Sequence, residues 1–269
     1  MKRPWRPSMS MQGALGVIGT LGFLAIWQAA NAWKLVDPVL LPAPESVFRA
    51  LARNWAEPTF AQSAYATQLV ATVYRMLLGL TLATGAGVLF GILIGWSEWL
   101  SSRLNITLAL LQYLPPAVVV PVVLLFFGKS NATVLVVIVF GAFWPILLNT
   151  IDGVRGADPL LVEVARIYRL RQPEIAWKIV LPMALPQIVA GLRLAVSVSL
   201  LATVVGEMLG GTDGLGFLIL IAQRTFEYPE MYSGILMLGL LGITANGMFR
   251  ILERYALHWH GSVRHAGSA

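Results

Sequence analysis

Long apolar stretches separated by short polar ones set the outline of this chain. No Asp, Glu, Lys or Arg occurs within 7–33, 76–97, 104–128, 130–151 or 231–249. A helix needs about 20 mostly apolar residues to cross the hydrocarbon core of a bilayer, so each run is long enough to span. A sixth run, 179–206, is interrupted only by Arg193, whose long side chain can reach the nearer interface from within a helix. The pattern predicts an all-α membrane protein with six transmembrane helices, near 13–33, 70–95, 104–127, 131–151, 187–208 and 232–252. These form a single domain over residues 1–269. The first run is expected to stay as a membrane helix. Its apolar core is longer than the ~7–15 residues of a signal peptide, and no small-x-small cleavage site stands out where it ends at Trp33-Lys34.

Shorter elements fill the gaps. The segment after the first span carries Leu41-Pro42-Ala43-Pro44, then Val47, Phe48 and Leu51 at helical spacing, which predicts a short surface helix over 45–55. In the second span Gly79, Ala83, Gly87, Gly91 and Gly95 recur every four residues, a narrow stripe that lets a neighbouring helix come close. That neighbour belongs either to the same chain or to a second copy. The third span contains Pro115, Pro116 and Pro121. Each removes a backbone hydrogen bond, so this helix is kinked or partly unwound, either beside a solute pathway or as plain structural kinking. After the fifth span, GGTDGLG at 210–216 reads as a turn leading into a short outer-side or re-entrant helix over 215–226.

Composition agrees: 57% hydrophobic and 12% charged residues, with mean hydropathy +0.74, exclude a soluble globular domain. The net charge is +6. If the polar loop before span five is inside, both termini are cytoplasmic, and 13 of the 19 Lys and Arg residues lie inside. Lys34, Arg49, Arg53, Arg75, Lys129 and Arg224 then lie outside. The positive-inside tendency accounts for the basic excess, and no nucleic acid need be invoked. Without cysteine there are no disulfides and no cysteine metal sites.

Catalytic signatures are missing. There is no GxxxxGK[ST] loop, and GGTDGLG is not GxGxxG and follows a membrane helix rather than a strand. His258, His260 and His265 sit in the C-terminal tail, the first two on different helix faces, so no metal site is expected. Glu207 lies near the outer end of span five. It is either a functional acid or a helix-end acid reaching interfacial water. With Ser197 and Ser199 it offers polar lining for a pathway that Pro115, Pro116 and Pro121 could open.

The densest polar segment is 155–182, between spans four and five. Asp158-Pro159 is a helix start, and Glu163 and Arg166 then fall one turn apart on one face. Gln172-Pro173-Glu174 is a second start, after which Ile175, Trp177, Ile179, Val180 and Leu181 face the membrane. Pro182 and Pro186, four apart, are expected to bend the way into span five. On the residues alone this is either a plain amphipathic loop or a contact for something outside the membrane.

Glu163-Val164-Ala165-Arg166, followed by Ile179, Leu181-Pro182, Ala184-Leu185-Pro186, Ile188 and Gly191-Leu192-Arg193, resembles the EAA loop of ABC-importer permeases. Leu114-Pro115-Pro116-Ala117, Phe127-Gly128, Asn149 with Gly153-Val154-Arg155, and Gly206-Glu207 leading to Gly214-Leu215-Gly216 resemble the nitrate/sulfonate/taurine branch of that family. The resemblance covers roughly 35–257. It implies a type I ABC importer permease fold in the bacterial inner membrane, with two copies side by side. It also implies that Glu163, Ala165, Arg166, Arg169, Leu170 and Pro182 couple the chain to a cytosolic ABC ATPase dimer. ATP and Mg2+ would bind that ATPase; this chain would hold no cofactor and would not be an enzyme. A periplasmic or lipid-anchored substrate-binding protein would deliver a small anion such as nitrate, a sulfonate, taurine or an organic carboxylate.

Arg169 stands where the family has a glycine, and Leu170-Arg171 replace its usual small residues. The expectation is an altered bend there, and an ATPase with an acidic rim opposite Arg169 and Arg171. From another mechanism class, a secondary transporter or channel not driven by ATP would show buried charge pairs or an inverted repeat, neither of which is evident in the sequence.

Overall fold

The computed structural model describes residues 9–56 and 64–257, and among them every regular element is helical. In chain order these are α1 (Met9–Ala32), α2 (Pro44–Trp55), α3 (Ala64–Trp96), α4 (Glu98–Leu111), α5 (Pro116–Phe127) and α6 (Asn131–Arg155). Then come α7 (Pro159–Ile167), α8 (Gln172–Ile175), α9 (Leu181–Gly210), α10 (Leu215–Arg224) and α11 (Tyr228–Ala256). Five helices or helical runs are long and apolar enough to cross a membrane, six if α4 and α5 count as one bent span. The tail histidines, and Lys2, Arg3, Arg6 and Arg264, lie outside the described residues.

The core is a layer of three helices with α6 in the middle. The glycine stripe of α3 meets α6 within the same chain, which answers which neighbour it serves. A Cβ built on Gly79 would stand 2.4 Å from Ile138, on Gly87 2.8 Å from Ile146, on Gly91 2.5 Å from Thr150 and on Gly95 2.8 Å from Val154. Both helices thus advance in steps of four, and each glycine of the stripe receives a branched side chain from α6. On its other side α6 packs against α9. There Gly191 lies so close to Pro145 and Asn149 that a Cβ would come within 2.8 Å of the Pro145 carbonyl oxygen. Buried Ala83, Ala142, Ile146 and Ala195 join the three helices at mid-depth.

The third expected span is two helices, broken at 112–115 and turned by 92°. Pro115 and Pro116 explain the break: neither has an N–H to return to the last carbonyls of α4. Pro116 then opens α5, where a missing N–H costs nothing. Pro121 sits inside α5 without interrupting it. The elbow rests on Gly141, whose absent Cβ would lie 2.9 Å from Pro116 and 3.2 Å from Ala202.

The way into α9 stays helical through both prolines. From Gln172 to Gly210 the chain is helical without interruption. Just ahead of Pro182 the ladder widens into one π turn, Ala176–Val180, with the Leu181 N–H donating to Ala176 O. Pro182 lacks the N–H that would return to Lys178, and the wider turn absorbs the mismatch inside the helix.

Candidate functional site

Two polar constructions stand at opposite ends of α9. At its N-terminal end, α7 starts at Asp158, whose Oδ1 accepts the Leu160 N–H at 2.9 Å, with Pro159 in the first turn. Ala165 is the buried residue of α7 and packs with Leu170, Ile175, Val180 and Ala184 at the base of α9. This contact ties α7 to the long helix. The rest of α7 faces outward: Glu163, Val164, Arg166 and Arg169 are exposed, and Ile167 and Tyr168 are each 78% exposed. Two large apolar side chains so open beside charged neighbours form a contact surface in want of a partner.

The turn after α7 keeps a glycine-type geometry without the glycine. Arg169 has φ +57°, in the left-handed region. Its N–H donates to Arg166 O at 2.9 Å, and the Leu170 N–H donates to Ala165 O at 3.1 Å. Together these bonds close a complete Schellman motif. The expected altered bend is therefore absent, because the two bonds and the burial of Leu170 hold the backbone where an arginine alone would not go. Arg169→Gly should relieve up to about 1 kcal/mol of this strain and raise the melting temperature. An unchanged or lower melting point would mean that the arginine side chain offsets its own strain. Beyond the turn, Glu174 accepts the Arg171 N–H at 2.9 Å and pairs with Lys178 at 3.2 Å, starting α8. Pro182 is exposed on the first turn of α9.

At the other end of α9, Glu207 is fully buried, so the reading of it as a helix-end acid reaching water is overturned. Its Oε1 accepts from Arg75 Nη1 at 2.9 Å, its Oε2 accepts the Gly216 N–H at 2.9 Å, and Thr72 Oγ1 lies 3.0 Å from both oxygens. Arg75, counted from the sequence among the outside charges, is buried too, with 3% of its surface exposed. It also pairs with the Asp213 carboxylate, donates to Asp213 O at 3.1 Å, and bonds Asn131 Oδ1 through Nε at 2.8 Å. Thr72 Oγ1 accepts the Leu215 N–H at 2.8 Å, and Gln68 accepts the Gly214 N–H. Gly214 has φ +103°, and a Cβ there would overlap the Glu207 carboxyl group at 2.2 Å. One arginine and one glutamate thus tie α3, the start of α6, the end of α9 and the start of α10 into a single knot. A buried charge pair exists after all, where the sequence showed none.

The remaining predicted residues are spread out. Ser197 is exposed on α9, 3.4 Å from Asn246 of α11, whereas Ser199 is buried and bonded to Val196 O at 2.8 Å. Pro115 and Pro116 wall a cavity at the elbow. Arg193 pairs with Glu253 of α11. Among the described residues no group of three or more His, Cys, Asp and Glu side chains could hold a metal ion.

The chain is a helical membrane protein with an exposed amphipathic loop between two spans. The match to known proteins narrows this. Residues 87–256 match the family described as binding-protein-dependent transport system inner membrane component, and the chain belongs to that family. It is 32% identical over 243 residues to a Bacillus subtilis protein described as an aliphatic sulfonates transport permease, covering 89% of this chain and 85% of that one. It is 31% identical over 247 residues to the bicarbonate transport system permease protein CmpB of Synechococcus elongatus, covering 90% and 89%. Its fold matches a chain of the MetNI methionine ABC transporter in an inward-facing conformation. There the TM-score is 0.64 at 15% identity, over 73% of this chain and 97% of that one. The protein is therefore an ABC-transporter permease with a type I importer fold.

Proposed function

We propose that this permease imports a small oxyanion, and that a separate ATPase drives it by gripping α7. The observation that carries the reading is α7 itself. It is anchored by Ala165, presents Ile167 and Tyr168 outward, and is joined by an unbroken helix to the far side of the membrane domain. The ATPase, with ATP and Mg2+, supplies the chemistry; this chain supplies the path. A second copy completes the path, both termini lie on the α7 side, and a binding protein delivers the solute from the opposite side. Sulfonate and bicarbonate in the relatives' names support an oxyanion as cargo.

A carrier driven by an ion gradient is the second reading, favoured by the buried Arg75–Glu207 pair. Against it, both Glu207 oxygens already accept hydrogen bonds from within the knot, whereas a coupling carboxylate must exchange partners. The test is purification of the tagged chain in mild detergent from its host. A stoichiometric ATPase is expected to accompany it, and uptake into liposomes to require ATP. A lone chain that moves taurine or bicarbonate in ATP-free liposomes would overturn the proposal.

A further inference from the structure

The α4–α5 elbow walls a space that neither the loop nor the knot uses. A cavity of about 510 Å³ lies between the elbow, α6 and α9. This is within the roughly 300–1,000 Å³ of small-molecule pockets. No Asp, Glu, Lys or Arg lines it. Its polar side chains include Gln112, Trp144 and Asn149, and Leu194 and Val198 contribute apolar wall.

Trp144 contributes ring surface to the wall, while its indole nitrogen is closed off from the cavity. What the amide groups have to spare is donors. Asn149 spends one amide proton on Pro145 O at 2.8 Å and keeps the other. Gln112 makes only a long 3.4 Å contact to Ala109 O. In the same wall Pro116 opens α5, so the positive end of that helix dipole lies at the elbow, although the Val118 N–H is already bonded to Pro115 O at 3.0 Å. Donors with no fixed counter-charge suit an anion that must be held and then released, because tight binding would stop passage. A cation would meet no carboxylate here.

We infer that this cavity is a transit site for a small oxyanion, whose oxygens are received by the amide N–H groups of Asn149 and Gln112. The inference rests on the importer reading and adds where the solute sits.

Because the chain has no cysteine, Gln112→Cys puts a single thiol in this subunit. In the assembled transporter, with its ATPase and binding protein in liposomes, that thiol is expected to react several-fold faster with anionic sulfonatoethyl methanethiosulfonate than with the cationic trimethylammonium reagent. Taurine or bicarbonate in excess should slow the anionic reaction. Equal rates with no protection by either anion would overturn the site. Asn149→Leu, which keeps the volume and removes the amide, is expected to lower ATP-driven uptake about tenfold, the scale of one hydrogen bond to a charged group. Binding-protein-stimulated ATP hydrolysis should stay near wild type. Uptake and hydrolysis falling together, with a lower melting temperature, would reduce Asn149 to packing and overturn its role. The importer reading fails separately, if wild-type vesicles take up neither anion faster with ATP than without it.

Discussion

Glu207→Ala is expected to destabilise the folded permease by about 3–5 kcal/mol. The substitution strips Arg75 of its fully buried counter-charge and leaves the Gly216 N–H without its acceptor. The buried guanidinium then keeps only the half-exposed Asp213 carboxylate as counter-charge, so the single variant leaves it under-compensated. Replacing both partners, as Arg75→Met with Glu207→Met, should recover part of the loss: the half-exposed Asp213 is left to solvent, no charge is buried unpaired, and the Gly216 N–H still lacks its acceptor. Thermal unfolding in detergent reads this directly. If Glu207→Ala melts with wild type, the knot does not hold this end of α9 together. If the double variant is worse than the single, the pair contributes more than the relief of a stranded charge.

The sequence disclosed this end of the molecule only in halves. Glu207 stood out as a lone acid near a helix end. Arg75 counts only among the outside charges, because the two are 132 positions apart and no local pattern joins them. A signal was available. Gln68, Thr72 and Arg75 share one helix face with Gly79 and Ala83, so the polar residues continue the glycine stripe outward. A stripe that turns from glycine to arginine on the same face announces that the arginine is packed rather than solvated. The loop was far more legible. Its helix starts at Asp158-Pro159 and Gln172-Pro173 are local signals, and α7 and α8 begin there. The elbow fell between: three prolines announced a break, but their spacing does not encode that two cause it and the third is absorbed.

Ile167→Asp combined with Tyr168→Asp is expected to abolish ATP-driven uptake and to weaken the grip of the ATPase by about 30- to 1,000-fold. That is the 2–4 kcal/mol scale of central aromatic and aliphatic contacts in protein interfaces. Both side chains are 78% exposed, so neither contributes much to the fold of the free chain. Melting of the isolated permease should therefore stay close to wild type, which separates lost docking from lost folding. Co-purification of the ATPase is the readout. An ATPase that accompanies the variant as well as it does the wild-type chain would place the contact elsewhere than α7. Charge reversal at Arg169 or Arg171 probes the edge of the same surface. If the partner's rim is acidic there, Arg171→Glu should weaken association by less than the apolar pair does, and more so at low salt.

The unbroken helix from Gln172 to Gly210 has a mechanical meaning. Its 39 residues at 1.5 Å each make a rod about 58 Å long. One end is fastened beside α7, the other to the Arg75–Glu207 knot, and between them Gly191 bears on α6 with no side chain to spare. That is the arrangement of a lever with a fulcrum. A tilt of one degree about Gly191, 19 residues from either end, would carry each end through about 0.5 Å in opposite directions, so a push at one end moves the other. The least regular part of the rod is the π turn just ahead of Pro182, and stiffness there sets how much of the push arrives.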